Sequence, residues 1–334
     1  MLLAVNFHYV EPDSGYPYPA IFPTPPEHLE RQLEALGACF EFVSGDQLLD
    51  ALAGKQLPER ACVITFDDGL RSQFDNALPV LGRLGVPALF FATARPIVER
   101  KAALVHKIHY VRASVEPGRI VAAIEDLARE GAEVPDAAQA RGRATATYRY
   151  DLAEAALVKW YLNFGLASAD AEQVVATLFA EIVPDEATWC ERFYMSREQI
   201  RALAERRCLG NHSWSHRPLA TLDDAEMGDE LRRSQSALEE LGGGPVFFVS
   251  YPYGGENAVG SREEAAAGEL GLRIGFTMER AFNTTLARPL LLARVDTNDA
   301  LAGKNPLMVA GTAGFAPLAG LGAGRSRYFE EGPG

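Results

Sequence analysis

The chain is poor in cysteine. Its four, Cys39, Cys62, Cys190 and Cys208, are scattered through 334 residues with no C-x-x-C pair. That pattern excludes a disulfide framework and a zinc ribbon. It leaves the thiols a core-packing role in a reducing compartment, the cytoplasm. Long apolar runs are missing too, and no stretch reaches the roughly 18–20 residues of a membrane span. The opening Met1-Leu2-Leu3-Ala4-Val5-Asn6-Phe7 has neither a basic segment nor a long apolar one, so it does not read as a signal peptide. Positive charge is in deficit: 32 Lys+Arg stand against 45 Asp+Glu, a net charge of −13. This argues against nucleic acid as a partner. Histidine is scarce, with six in all.

What is present is ordinary in bulk. Apolar residues make up 48% of the chain and charged ones 23%, as in soluble globular proteins. The length suffices for a large core in one elaborated domain or two. The informative stretches are short. Ala61-Cys62-Val63-Ile64 is apolar and partly β-branched, the pattern of a buried strand, and runs into Thr65-Phe66-Asp67-Asp68-Gly69. Two carboxylates therefore sit where a strand stops and a loop begins, the place where α/β folds collect chemistry. Neighbouring strand residues point to opposite faces, but a turn brings both into one site. One carboxylate is then available to a metal and the other to act as a base. The alternative is a pair of solvated loop aspartates.

A second stretch, Leu209-Gly210-Asn211-His212-Ser213-Trp214-Ser215-His216, holds two of the six histidines four residues apart. From a helix turn or a tight loop both imidazoles reach one ion. Two histidines and a carboxylate leave coordination positions open for water and substrate.

Together, T-F-D-D-G at 65–69, H-S-W-S-H at 212–216 and Ser250-Tyr251-Pro252-Tyr253-Gly254 resemble the NodB-homology polysaccharide deacetylases, carbohydrate esterase family 4. The resemblance covers roughly residues 1–100 and 195–300. It implies a distorted (β/α) barrel of about seven strands. It also implies a metal held by Asp68, His212 and His216, Asp67 as general base, and Tyr253 offering its backbone N–H to the oxyanion. The ion would be a single divalent metal, zinc by preference for two imidazoles, with nickel or cobalt as substitutes.

Along the chain, residues 2–9 read as a first strand ending near His8. Six prolines within 11–26 make a long loop. Helices at 26–36 and 74–84 and strands at 40–43 and 86–92 follow, a right-handed parallel rhythm. Residues 100–195 break it with helix signals at 120–127, 152–164 and 171–182, a capping box at Asp151 and Glu154, and an exposed connection over 131–147. The expected division is a discontinuous barrel, 1–99 and 196–315, a helical insertion, 100–195, that would form a small lid, and a mobile tail, 316–334. In the insertion, Val105-His106-Lys107-Ile108-His109-Tyr110 brings two histidines and a lysine just past a barrel strand. The barrel resumes with a helix from Ser196, a long helix at 223–241, and strands at 246–249, 273–277 and 290–295.

Two positions depart from the family pattern. Its arginine in R-x-P-Y, which orients the base, is Ser250, and its late Leu-x-His, which supplies the acid, is absent because no histidine follows His216. Arg294 and Asp296 stand at a strand end and are candidates for part of that apparatus, or for a structural ion pair. The general acid is then expected from His109, with His106 and His8 as alternatives. Tyr251, Pro252 and Trp214, with His8, Arg294 and Asp296, are the expected substrate contacts, although Trp214 suits barrel packing better. The expected activity is hydrolysis of an N-acyl group, acetyl or else formyl, from an amino sugar in a cytoplasmic glycan precursor, nucleotide- or lipid-linked. The alternative is a metal- or sugar-binding barrel without turnover.

Overall fold

The computed structural model describes residues 1–12, 15–147, 152–255, 258–311 and 314–317. It divides into two compact units. One comprises Met1–Asp13, Pro23–Lys101 and Cys190–Gly334, and the other Ser14–Phe22 and Ala102–Trp189.

The first unit is built on parallel strands: β1 Leu2–Phe7, β2 Glu41–Phe42, β3 Ala61–Phe66, β4 Ala88–Ala92, β5 Leu209–Asn211, β6 Phe248–Ser250, β7 Ile274–Phe276 and β8 Val295–Asp296. Seven of them form one path, β7-β6-β5-β4-β3-β1-β8, while β2 pairs with the start of β3. This is the distorted (β/α) barrel. Every residue of β1 and β3 is buried, which explains their near-continuous apolar sequences: helices cover one face and the barrel interior the other. Alternation then sorts the side chains. Leu2, Ala4, Ala61, Val63, Leu89 and Phe91 belong to one core cluster. The intervening Phe7, Phe66 and Phe90 stack in a row, with ring centroids 5.3 and 4.9 Å apart. Serine begins two of the surrounding helices. Ser44 and Ser196 form reciprocal caps with Gln47 and Gln199, three residues on.

Register positions the chemistry. Asn6 pairs with Thr65 and Phe7 with Phe66, so His8 and Asp67 leave their strands at one level. Asn6 also pairs with Asp296 of β8.

Some boundaries differ from expectation. The first strand stops at Phe7, whose carbonyl accepts the Asp67 amide as the chain turns away. Of the expected 290–295 strand only Val295 pairs with β1, and the pairing continues to Asp296, one residue beyond it. Leu292 instead forms an isolated bridge to Phe276. The helix expected at 74–84 opens with a π-turn, Gln73–Ala77, before the α-helix Leu78–Leu84.

The second unit is helical. It contains Leu104–Ser114, Pro117–Arg129, Ala153–Trp160 and Ser168–Ile182. The stretch expected as an exposed connection carries a further helix, Ala137–Thr147. Asp136 starts it by accepting the amides of Ala138 and Gln139, and its alanines favour it. Part of the proline-rich loop, Ser14–Phe22, belongs to this unit rather than to the barrel. Asp151 of the expected capping box and tail residues 318–334 lie outside the described residues. Tail residues 316 and 317 end a hairpin strand, Gly314–Pro317, paired with Met308–Gly311.

Candidate active site

At the C-terminal end of the barrel strands, three ligand atoms from Asp68, His212 and His216 lie within 4.8 Å of one another, and all three residues are buried. Backbone strain assembles them. Asp68 has φ 83°, Ser213 61°, His216 66° and Tyr253 63°, four of the seven positive-φ non-glycine residues among those described. Each is an uncommon conformation that persists only when its surroundings enforce it. At Asp68 the turn is what moves a second carboxylate onto the side already occupied by Asp67.

The H-S-W-S-H stretch is a loop, not a helix. Asn211 accepts the Ser213 amide at 2.8 Å, and Ser213 Oγ accepts the His216 amide at 3.1 Å. Buried Glu230, on the helix Asp224–Gly242, accepts both the amide and the hydroxyl of Ser215.

The donor set suits a metal. His212 Nδ1 donates to the Ser250 carbonyl at 2.6 Å, which leaves its Nε2 lone pair facing Asp68. His212 and His216 Nε2 stand 3.3 and 3.2 Å from Asp68 Oδ1. Tetrahedral bonds of about 2.0–2.1 Å separate neighbouring ligand atoms by about 3.3 Å, so the two distances to Asp68 match a tetrahedral metal centre. The pocket's electrostatics agree. Burial opposes charge on His212, yet the carboxylates of Asp67 and Asp68 and the Ser250 carbonyl outweigh it and push the imidazole's pKa up. The pocket therefore favours positive charge.

Asp67 has a different environment. Arg294, fully buried, grips it in a bidentate pair, Nη1 to Oδ1 at 2.9 Å and Nη2 to Oδ2 at 2.6 Å. Ser250 Oγ and Asn6 Nδ2 add bonds to Oδ2 at 3.0 and 3.1 Å. Arg294 also donates to Ser250 Oγ, to Asn6 Oδ1, to Thr65 Oγ1 and to the Thr277 carbonyl. Burial alone would raise the Asp67 pKa; Arg294, His212 and His8 outweigh it and hold the carboxyl below the usual range. Oδ2 has three donors and Oδ1 one, so Oδ1 keeps room for another proton.

The remaining expected residues are spread out. His8 is partly buried, with Nε2 3.5 Å from Asn6 Nδ2, the nitrogen that also reaches Asp67. Tyr253 is 51% exposed and its ring lies 5.1 Å from that of His216. The tight turn there requires Gly254, with φ 58°, where a Cβ would lie 2.6 Å from the Met278 nitrogen. Several substrate contacts need correction. Tyr251 and Pro252 are buried, and Trp214 is 7% exposed with Arg233 4.1 Å above its ring. These three pack the barrel. Arg294 is sealed against Asp67 and pairs with it, not with Asp296. Asp296 accepts from the Asn298 amide and side chain, capping a turn. His106 and His109 lie in the helical unit, rings 6.2 Å apart, beside a Lys107–Glu186 ion pair of 2.9 Å.

Asn6 and Thr65 were not expected in the site. The available signal was a polar residue inside each otherwise apolar strand, since buried polar groups need partners.

The family model described as polysaccharide deacetylase matches residues 54–133 and 168–274, together more than half of the chain. No curated protein matches. Among solved structures, IcaB from Ammonifex degensii is 19% identical with a TM-score of 0.53, covering 88% of this chain and 90% of that one. The deacetylase PplD of Streptococcus pyogenes, solved with acetate, is 13% identical with a TM-score of 0.52, covering 88% and 91%. The BpsB deacetylase domain of Bordetella bronchiseptica is 18% identical with a TM-score of 0.53, covering 88% and 95%. At these identities the structures establish the shared fold. The matched segments contain the T-F-D-D-G carboxylates, the paired histidines and the Tyr253 turn, and by that match the chain belongs to the polysaccharide deacetylase family.

Proposed function

We propose that the protein is a metal-dependent hydrolase that removes an N-acyl group, acetyl or formyl, from an amino sugar. Asp68, His212 and His216 would hold one divalent ion, zinc by preference. That ion would polarise the amide carbonyl and lower the pKa of water toward about 7. The lowered Asp67 pKa supports this dependence. A carboxylate held below its usual range is too weak a base for ordinary water, and serves only where the water has been made more acidic.

Asp67 receives the water's proton at Oδ1, the oxygen with spare accepting capacity. Arg294 keeps the carboxylate ionised and oriented, the job that arginine at position 250 does in the family pattern. The Tyr253 N–H stabilises the oxyanion. The departing amine needs a proton, and His8 or His109 supplies it. The bond network from His8 through Asn6 to Asp67 supports His8. His109, expected from sequence, stands as the competing assignment.

The carrying observation is that Asp67 has four hydrogen bonds of its own and no place in the metal cluster. A binding barrel needs no such base, and Arg294 answers the missing arginine that lent that reading weight. A cytoplasmic precursor as substrate is supported by the scatter of the four cysteines, which include no C-x-x-C pair. Among the described residues no helix is long and apolar enough to cross a membrane.

The test is a panel of N-acetyl and N-formyl amino sugars, free, polymeric, nucleotide-linked and lipid-linked, assayed for released acetate or formate with metal content measured alongside. Release from an N-acyl sugar is expected. A metal-loaded protein that binds sugars but releases no acid from any of them would sink the hydrolase in favour of the binding barrel.

A further inference from the structure

The π-turn Gln73–Ala77 follows T-F-D-D-G by four residues and precedes Pro79. Proline lacks the N–H that would bond four residues back, and its ring crowds that carbonyl, so the turn ahead of it widens. The widened turn clamps the exit of β1. Ser72 Oγ accepts the Val10 amide at 3.4 Å, and Asn76 Nδ2 donates to the Val10 carbonyl at 2.7 Å. Between them, fully buried Gln73 gives one N–H to the His8 carbonyl at 2.9 Å and the other to the Asp67 carbonyl at 2.5 Å.

Both partners are carbonyls, so the amide nitrogen must face them, and this fixes the orientation of the side chain. Its Oε1 is then buried with no hydrogen-bond partner among the described residues. An unmet buried acceptor costs stability. Here the donor end is satisfied at the expense of the acceptor, and its two bonds join the residues that carry His8 and Asp67.

We propose that Gln73 is a positioning residue that sets the separation of His8 and Asp67, the donor and the acceptor of the two proton transfers. This presupposes the hydrolase reading with His8 as acid. Gln73 bonds the backbone carbonyls of His8 and Asp67 and acts through them. Its effect therefore belongs in kcat, with substrate affinity and metal binding left alone.

The test is a kinetic cycle of Gln73→Met, His8→Gln and the double variant. Metal affinity is measured by chelator competition, and hydrogen exchange is followed at the amides of residues 8–10. Gln73→Met is expected to lower kcat about 10- to 100-fold with KM and metal affinity within about twofold, since positional errors of about 1 Å cost on that order. In the His8→Gln background the same change should cost less than about threefold, because the group being positioned is gone. A purely structural role would cost the same in both backgrounds. Exchange over residues 8–10 should rise at least about tenfold while residues 62–65 stay protected. Unchanged kcat, an equal loss in both backgrounds, or unchanged exchange at residues 8–10 overturns the role of Gln73. A wild type that releases no acid on the whole panel overturns the hydrolase reading instead. Exchange then decides the clamp on its own, since it needs no turnover.

Discussion

Asp67 and Asp68 are adjacent in the chain and opposite in circumstance. Asp67 ends a regular strand, and fixed donors on β1, β6 and the approach to β8 meet its two oxygens. Asp68 sits one residue later at φ 83°, with two imidazole nitrogens as its near neighbours. The first is an anion neutralised by a permanent cation, Arg294. The second lies in a cluster whose donor atoms suit an added one. In the proposed mechanism the same carboxylate chemistry serves as a base in one place and a ligand in the other. What separates them is who supplies the positive charge.

Loss of the paired histidines should have the largest effect. His212→Ala and His216→Ala should abolish stoichiometric metal and reduce turnover to background, read by elemental analysis and the acid-release assay. Full metal content in both variants would show the cluster to be misassigned. Asp67→Asn should keep the metal and the fold yet lose about 10²- to 10⁴-fold in turnover, the usual range for a lost general base. Unchanged turnover would make the two aspartates functionally alike.

The acid is the next discriminator. His8→Gln should lose about 10²-fold in turnover and the basic limb of its pH–rate profile, while His109→Gln keeps both. The reverse result would move the donor to the helical unit.

Arg294→Met sharpens the Asp67 side. It leaves a buried carboxylate without its partner, at a cost of about 3–5 kcal/mol in urea unfolding at pH 7. In the wild type the Asp67 pKa lies below its unfolded value of about 3.9. Its contribution is complete above that value and is lost as pH falls through the lower folded pKa. Without Arg294 burial prevails, the folded pKa rises above the unfolded one, and the folded state takes up a proton. The deficit of the variant should then shrink between pH 7 and pH 5. A deficit that is equal at both would mean that Arg294 does not govern the charge on Asp67. The smallest effect is expected at Trp214, already covered by Arg233. Trp214→Phe should change KM less than about threefold, and a larger change would restore it as a substrate contact.

Sequence reading grouped Asp68, His212 and His216 because they fall in two short motifs whose spacing is itself the signal, and the fold brings the three together. It reached the barrel through the all-apolar strands β1 and β3. It misread residues 131–147, where alanine and arginine without a clear apolar stripe hid a helix. It placed Tyr251, Pro252 and Trp214 at the substrate because motif membership says nothing about which way a ring turns. For Arg294 it left two roles open, since an arginine at a strand end reads alike as an ion-pair partner or as a catalytic support.

The amino-acid order by itself determined the strand pattern, the ligand types and their place at strand ends, because these depend on local periodicity and on residues close together in the chain. Tertiary structure alone decided that Arg294 pairs with Asp67, 227 residues away, that Asn6 and Ser250 complete the set, and that Asp68 turns into the histidine cluster. Parallel pairing sets chain segments of any sequence distance side by side. A left-handed turn at a non-glycine residue exists only when the packing around it enforces it.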